Sequence, residues 1–150
     1  MNLVIGQGIG PAKFGMTEEE IIDLFGKPDD REEEDYGDGK TLTLFYDTMM
    51  TDFSFDIDED EDGNDLYRLS SILCVNPDYT LDNKIKFGDS EEQLIKYTHN
   101  LKAADPQIEV DQDTKERILF FDDLSLMAIF DSEGLSTLQI GFWDDEDEEE

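Results

Sequence analysis

The chain has 150 residues, 41 of them acidic and 11 basic, and a formal charge of -30. Binding to nucleic acid or to an anionic membrane surface requires clustered Lys and Arg, and a membrane helix requires ~20 apolar residues in a row, so all three are excluded. One Cys and one His allow no internal disulfide and few metal sites or acid–base dyads, which argues against an enzyme, a cofactor or a metal and fits a reducing cytoplasm.

Low mean hydropathy with high charge is a signature of disorder, but the acid is unevenly placed. Glu32–Asp35, Asp58–Asp62 and Asp144–Glu150 are acidic runs, whereas Leu42–Tyr46, Leu69–Val75 and Ile118–Phe130 are rich in apolar and aromatic residues. A folded body is therefore expected over 1–143, with 144–150 as a disordered acidic tail that like-charge repulsion keeps apart. Met1 to Gly10 carry no basic region and no long apolar stretch, so no signal peptide is expected. Gly6-x-Gly8-x-Gly10 lacks the third glycine of a dinucleotide loop, since Pro11 stands in its place, and reads as a flexible lead-in.

Thr17-Glu18-Glu19-Glu20 fits the capping box, in which the hydroxyl and the fourth-residue carboxylate satisfy each other's backbone N–H groups. A helix should start after Thr17, bury Ile21, Leu24 and Phe25, and end at Gly26 before Pro28. Strands follow near 40–47, 51–58 and 66–75, with core positions Leu42, Leu44 and Tyr46 and then Phe53, Phe55 and Ile57. The turn Asp62-Gly63-Asn64 joins the last two. The pattern then repeats. Ile85-Lys86-Phe87-Gly88-Asp89-Ser90-Glu91-Glu92-Gln93-Leu94-Ile95 matches Ala12 to Ile22 at an offset of 73. Its helix should start after Ser90, bury Leu94, Ile95 and Leu101, and stop before Pro106. Strands follow near 116–122, 124–131 and 135–143, the last two joined by Ser132-Glu133-Gly134, with Leu138, Ile140 and Phe142 as core. The fold class is α+β: two tandem units, about 1–80 and 81–143, each a helix plus a three-stranded antiparallel meander, packed as one domain.

The stretch Gly8-Ile9-Gly10-Pro11-Ala12-Lys13-Phe14-Gly15-Met16-Thr17-Glu18-Glu19-Glu20-Ile21-Ile22-Asp23-Leu24-Phe25-Gly26-Lys27-Pro28 resembles the helix-opening motif of the β-lactamase-inhibitor-protein fold. It is also similar to small outer-membrane-assembly lipoproteins that share the helix-plus-meander unit. The resemblance covers about 20 residues by motif and the rest by pattern. It implies a tandem scaffold that binds protein without catalysis. By charge and size the chain also resembles small acidic immunity proteins encoded beside bacterial toxins.

Asp58-x-Asp60-x-Asp62-Gly63 starts like a calcium loop, but Asp65 and Leu69 stand at the eighth and twelfth positions, so it reads as a solvated hairpin tip. His99 reads as a helix surface residue and Cys74 as a small buried apolar one. The candidate partner-binding residues are Phe45, Asp47, Asp56, Asp58, Phe121 and Trp143, on the sheet face opposite the core. Aromatic anchors beside steering carboxylates suit a basic protein partner. Three functions remain open: an immunity-type inhibitor occluding the positive cleft of a nuclease toxin, a nucleic-acid mimic blocking a DNA-binding protein, and a housekeeping domain whose acid serves solubility.

Overall fold

The computed structural model describes residues 1–35, 40–59 and 65–141. The hairpin tip at 60–64, Phe142, Trp143 and the tail 144–150 lie outside them, so the expectations for those residues have no counterpart below.

Three short strands open the chain: β1 (Asn2–Val4), β2 (Gly8–Ile9) and β3 (Ala12–Lys13). Helix α1 (Glu18–Phe25) leads into β4 (Asp30–Asp35), β5 (Lys40–Tyr46), β6 (Thr51–Glu59) and β7 (Asp65–Cys74). After β8 (Thr80–Leu81) and β9 (Ile85–Lys86) comes α2 (Glu91–Asn100), then β10 (Gln107–Val110), β11 (Arg117–Phe121), β12 (Leu126–Asp131) and β13 (Gly134–Gly141). The fold is α+β, as expected, with mostly antiparallel pairing. Each helix is followed by four strands, not three. The eight run into one sheet of order β10-β11-β12-β13-β7-β6-β5-β4. A second sheet, β3-β2-β1-β8-β9, has β1 and β8 parallel.

Both helices start where the capping boxes place them. Thr17 Oγ1 accepts the Glu20 N–H at 3.3 Å, and Glu20 Oε1 accepts the Thr17 N–H at 2.9 Å. Ser90 and Gln93 repeat this at 3.2 and 2.8 Å. The glycine turn ahead of each helix is bonded to the last strand of its own half. Gly15 N–H donates to Leu69 O (2.9 Å) and Leu69 N–H to Met16 O (2.7 Å); Gly88 N–H donates to Leu135 O (3.0 Å) and Leu135 N–H to Asp89 O (2.9 Å). The C-terminal parts of β7 and β13 then pair with each other, Ile72 opposite Ile140. Beside each clamp the last strand carries a register shift, between Ser54 and Phe55 in the β6–β7 ladder and between Ile129 and Phe130 in the β12–β13 ladder.

One core cluster spans both halves. Leu42, Leu44, Phe53, Phe55, Ile72, Leu119, Leu126, Leu138 and Ile140 supply it from one face of the large sheet. The smaller sheet adds Leu3, Ile9, Leu81 and Ile85, and the helices add Ile21 and Leu94. Two helical expectations fail. Leu24 and Leu101 are each 42% exposed. In α1 the half-buried Ile22 and Phe25 flank Ile21 instead, and in α2 Thr98 is buried one turn after Leu94. Phe25 is pulled inward by stacking on Phe53 at 5.3 Å and by the edge of Tyr46 at 6.1 Å. Leu101 lies past the end of α2, whose Leu101 N–H already turns back to Thr98 O at 3.0 Å. Cys74 is buried; burial pushes its thiol pKa up, against the hydrogen bonds from Asn76 N–H and Thr51 Oγ1.

Candidate functional site

Alternation along the strands divides the large sheet into a core face and an outer face. Cross-strand partners lie on the same face, so the ladder registers trace the outer one. A single row runs Gln107, Phe120, Met127, Gln139, Leu73, Asp52, Phe45, Asp30 from edge to edge. At ~4.8 Å per strand it is roughly 34 Å long, comparable to a standard protein–protein interface. Next to it Glu109, Ile118, Ile129 and Thr137 form a second row in the β10–β13 part. In the β4–β7 part the next row is Ser71, Ser54, Thr43 and Glu32.

This face has two zones. Phe120, Met127, Ile118, Ile129 and Leu73 make an apolar zone on β11, β12 and β7, and Phe45 stands apart on β5. All six are half-buried. None of them belongs to the core cluster or to the shell of side chains packed on it. The other zone is polar: Asp30, Glu32, Asp52 and Asp56 stand among Thr41, Thr43 and Ser54. Thr43 and Ser54 share a hydrogen bond of 3.3 Å between their hydroxyls. Asp52 is half-buried between Leu73 and Phe45, and that burial, with the charge of Asp47, raises its carboxyl pKa.

A cleft of about 370 Å³ opens where β13 ends and the β3–α1 turn takes over the pairing with β7. Phe14, Ile57 and Leu69 wall it, and Asp56 and Arg68 line it too, with one Arg68 guanidinium N–H donating to Gly15 O at 2.9 Å.

Of the six residues expected to bind a partner, Phe45 and Asp56 lie on the outer face. Asp47 is exposed in the turn after β5, where its N–H donates to Asp29 Oδ2 at 2.6 Å. Asp58 lies in β6 opposite Leu66; its side chain and all of Trp143 are outside the described residues. Phe121 is corrected: it is 2% exposed and belongs to the core. The outer aromatic is its neighbour Phe120, because Phe121 pairs with the core residue Leu126 while Phe120 pairs with Met127. Leu73, Ile118, Met127 and Ile129 were not singled out from sequence. Their signal was there: β11 and β12 read as unbroken apolar runs, Ile118–Phe121 and Leu126–Phe130, which is how a strand apolar on both faces reads.

His99 Nε2 meets Asp105 Oδ1 at 2.7 Å on an exposed helix end. Among the described residues no group of three or more His, Cys, Asp or Glu could hold a metal ion, and no helix is long and apolar enough to cross a membrane. Comparison with known proteins returned no matching family model, no matching curated protein and no matching solved structure.

Proposed function

We propose that the chain is a non-catalytic protein-binding module whose outer sheet face covers a positively charged surface of a basic partner. In the cell it acts as a cytoplasmic inhibitor, concretely an immunity protein that occludes the cleft of a nuclease-type toxin. One observation carries this reading: six apolar side chains on the outer face pack on no part of the core and lie beside a zone of carboxylates. The apolar zone supplies desolvated anchors, which set the off-rate; the acids steer a basic partner in, which sets the on-rate.

The apolar zone favours partner binding over a housekeeping role, since acid kept for solubility needs no apolar zone; a nucleic-acid mimic would use the same physics on a different target. The matched capping boxes and matched turn-to-strand bonds support a further part of the reading: the halves are tandem copies of one unit, as the likeness to β-lactamase-inhibitor-protein scaffolds implies.

The test is affinity capture from the lysate of the source cell with wild type and with Phe120→Glu plus Ile129→Glu, after circular dichroism shows that the variant is folded. Wild type should capture a basic protein fast at low salt and slowly at ~0.5 M, where exposed charges are screened within a few ångströms, while a complex already formed is retained. The variant should retain none. If both retain the same protein equally, the outer face is not the interface. The activity of the captured protein, toxin or DNA-binding regulator, decides between inhibition and mimicry.

A further inference from the structure

A second candidate site lies on the helix side of the molecule, and it has the opposite sign. Residues 84–102 hold four lysines against three acids in a chain of charge -30. Two of those lysines, Lys84 and Lys96, line one pocket of about 280 Å³ between the β8–β9 turn and α2. Its remaining walls include Ile85, Gln93, Tyr97 and Asn100, and one carboxylate, Asp89. We propose that this pocket binds a small phosphorylated molecule, with its phosphate between the Lys84 and Lys96 ammonium groups.

Three nearby carboxylates accept hydrogen bonds from other groups. Asp89 Oδ2 accepts the Lys86 N–H at 2.9 Å. Asp82, in the same turn, accepts the Ile5 N–H at 3.0 Å through Oδ1 and the Tyr97 hydroxyl at 2.6 Å through Oδ2. Glu91 takes the Arg117 Nε–H at 2.6 Å. Lys84 and Lys96 form no ion pair among the described residues, and Asp89 is the one carboxylate that shares their pocket, so two positive charges face a single negative one there. Lysine is a point-charge phosphate ligand, and the amides of Gln93 and Asn100 add neutral donors. The Gln93 oxygen is held by the Ser90 N–H at 2.8 Å, which leaves its NH2 group for a ligand. Tyr97, fixed through its hydroxyl, and the buried Ile85 supply an apolar wall. The volume falls just below the ~300–1,000 Å³ usual for ligand pockets, which points to a compact molecule.

The repeat sharpens this. At the 73-residue offset, Lys84 corresponds to Pro11, Lys96 to Asp23 and Asn100 to Lys27. The first half therefore has the same turn and helix without the lysine pair, so the pair is not a requirement of the scaffold. The site is separate from the outer face and stands or falls without it.

The test is a nuclear magnetic resonance titration of the full chain with inorganic phosphate, and in parallel with citrate, at constant ionic strength set by chloride. Phosphate should shift the backbone amides of Lys84, Lys96 and Asn100 along a saturable curve. Lys84→Gln and Lys96→Gln should each weaken binding ~10-fold, equivalent to about 1.4 kcal/mol, while Lys115→Gln, far along the chain in the β10–β11 turn, should leave it unchanged. Non-saturating shifts, or equal affinity in Lys96→Gln and wild type, would overturn the site. Tighter binding of citrate than of phosphate would overturn the phosphate assignment.

Discussion

In the first half, α1 starts at Thr17 with Glu18 held by Arg31 Nε at 2.7 Å; in the second, α2 starts at Ser90 with Glu91 held by Arg117 Nε at 2.6 Å. The same capping box and the same acid at the first helical position recur, and each acid is met by an arginine from the sheet, from the first strand after α1 and from the second after α2. The same glycine turn is bonded to the final strand in both. The side chains that fill and cover these frames differ. The first half builds its core on three rings, with Phe25 stacked on Phe53 and Tyr46 set edge-on to Phe53 at 5.5 Å and 89°. The second packs Phe121 and Phe130 among Leu94, Leu119, Leu126, Leu135 and Leu138. The outer face of the first half is mostly acid and hydroxyl, with Phe45 and Leu73 as its apolar members, whereas that of the second carries Ile118, Phe120, Met127 and Ile129. Backbone devices at a helix start satisfy N–H groups that any sequence would leave unpaired, so they persist. The faces carry no such obligation, and what is particular to this chain is written there.

The largest effect should come from the first half's ring cluster. Phe53→Ala removes the ring that touches both partners and should cost about 4 kcal/mol, read as a shift in the urea midpoint. Leu119→Ala in the second half should cost less, about 3 kcal/mol; equal losses would mean the rings add nothing beyond area.

Glycine clamps come next. A Cβ on Gly134, at φ +110, would sit 2.3 Å from Gly88 O and 2.6 Å from Gly88 C, both backbone. Gly15, at φ +94, has open space around it. Gly134→Ala should therefore cost about 3 kcal/mol, from clash plus strain, and Gly15→Ala about 1 kcal/mol from strain alone. Similar Tm losses for both would show that the second clamp yields.

Thr17→Ala and Ser90→Ala should each cost about 1 kcal/mol. Unequal values would break the likeness of the two helix starts. The smallest effect belongs to Asp52. Its pKa in the fold is above the ordinary 3.8, from burial first and the Asp47 charge second. A raised carboxyl binds its proton more tightly when folded, so this carboxyl favours folding below the window and opposes it as the pH climbs from 3.8 through the folded value. Asp52→Asn should thus melt higher than wild type at neutral pH and match it at about pH 3. A lower Tm at neutral pH would mean that the carboxylate has a stabilising partner.

Much of this frame was legible in the sequence, for local reasons. Capping boxes declare themselves within four residues, and the alternation in Leu42–Tyr46 and Phe53–Ile57 places Leu42, Leu44, Tyr46, Phe53 and Phe55 in the core. What escaped was specified at long range or by pattern too thin to read. β4 is five acids and one arginine, all exposed, with no alternation, and its strand form comes from the ladder to β5. β10 has only four residues. The strands of the small sheet are two or three residues each, without a period, and are set by turns at Gly6, Gly10 and Asn83 and by pairing across some 78 positions. In Ile118–Phe121 every residue is apolar, so pattern alone could not tell Phe120 from Phe121; only the register with β12 separates them.

The parallel pairing of β1 with β8 also sets an order of assembly. Asn2 and Leu3 pair with Thr80 and Leu81, Asp82 N–H donates back to Leu3 O at 2.6 Å, and Asn2 Oδ1 accepts from Thr80 and Asn83. β1 is synthesised long before β8, yet its central place in the small sheet stays half-filled until β8 has left the ribosome. Closing so long a loop is slow compared with hairpin formation. The β5–β6–β7 meander, whose contacts are local, should therefore form during synthesis, while β1, made before it, is among the last to settle.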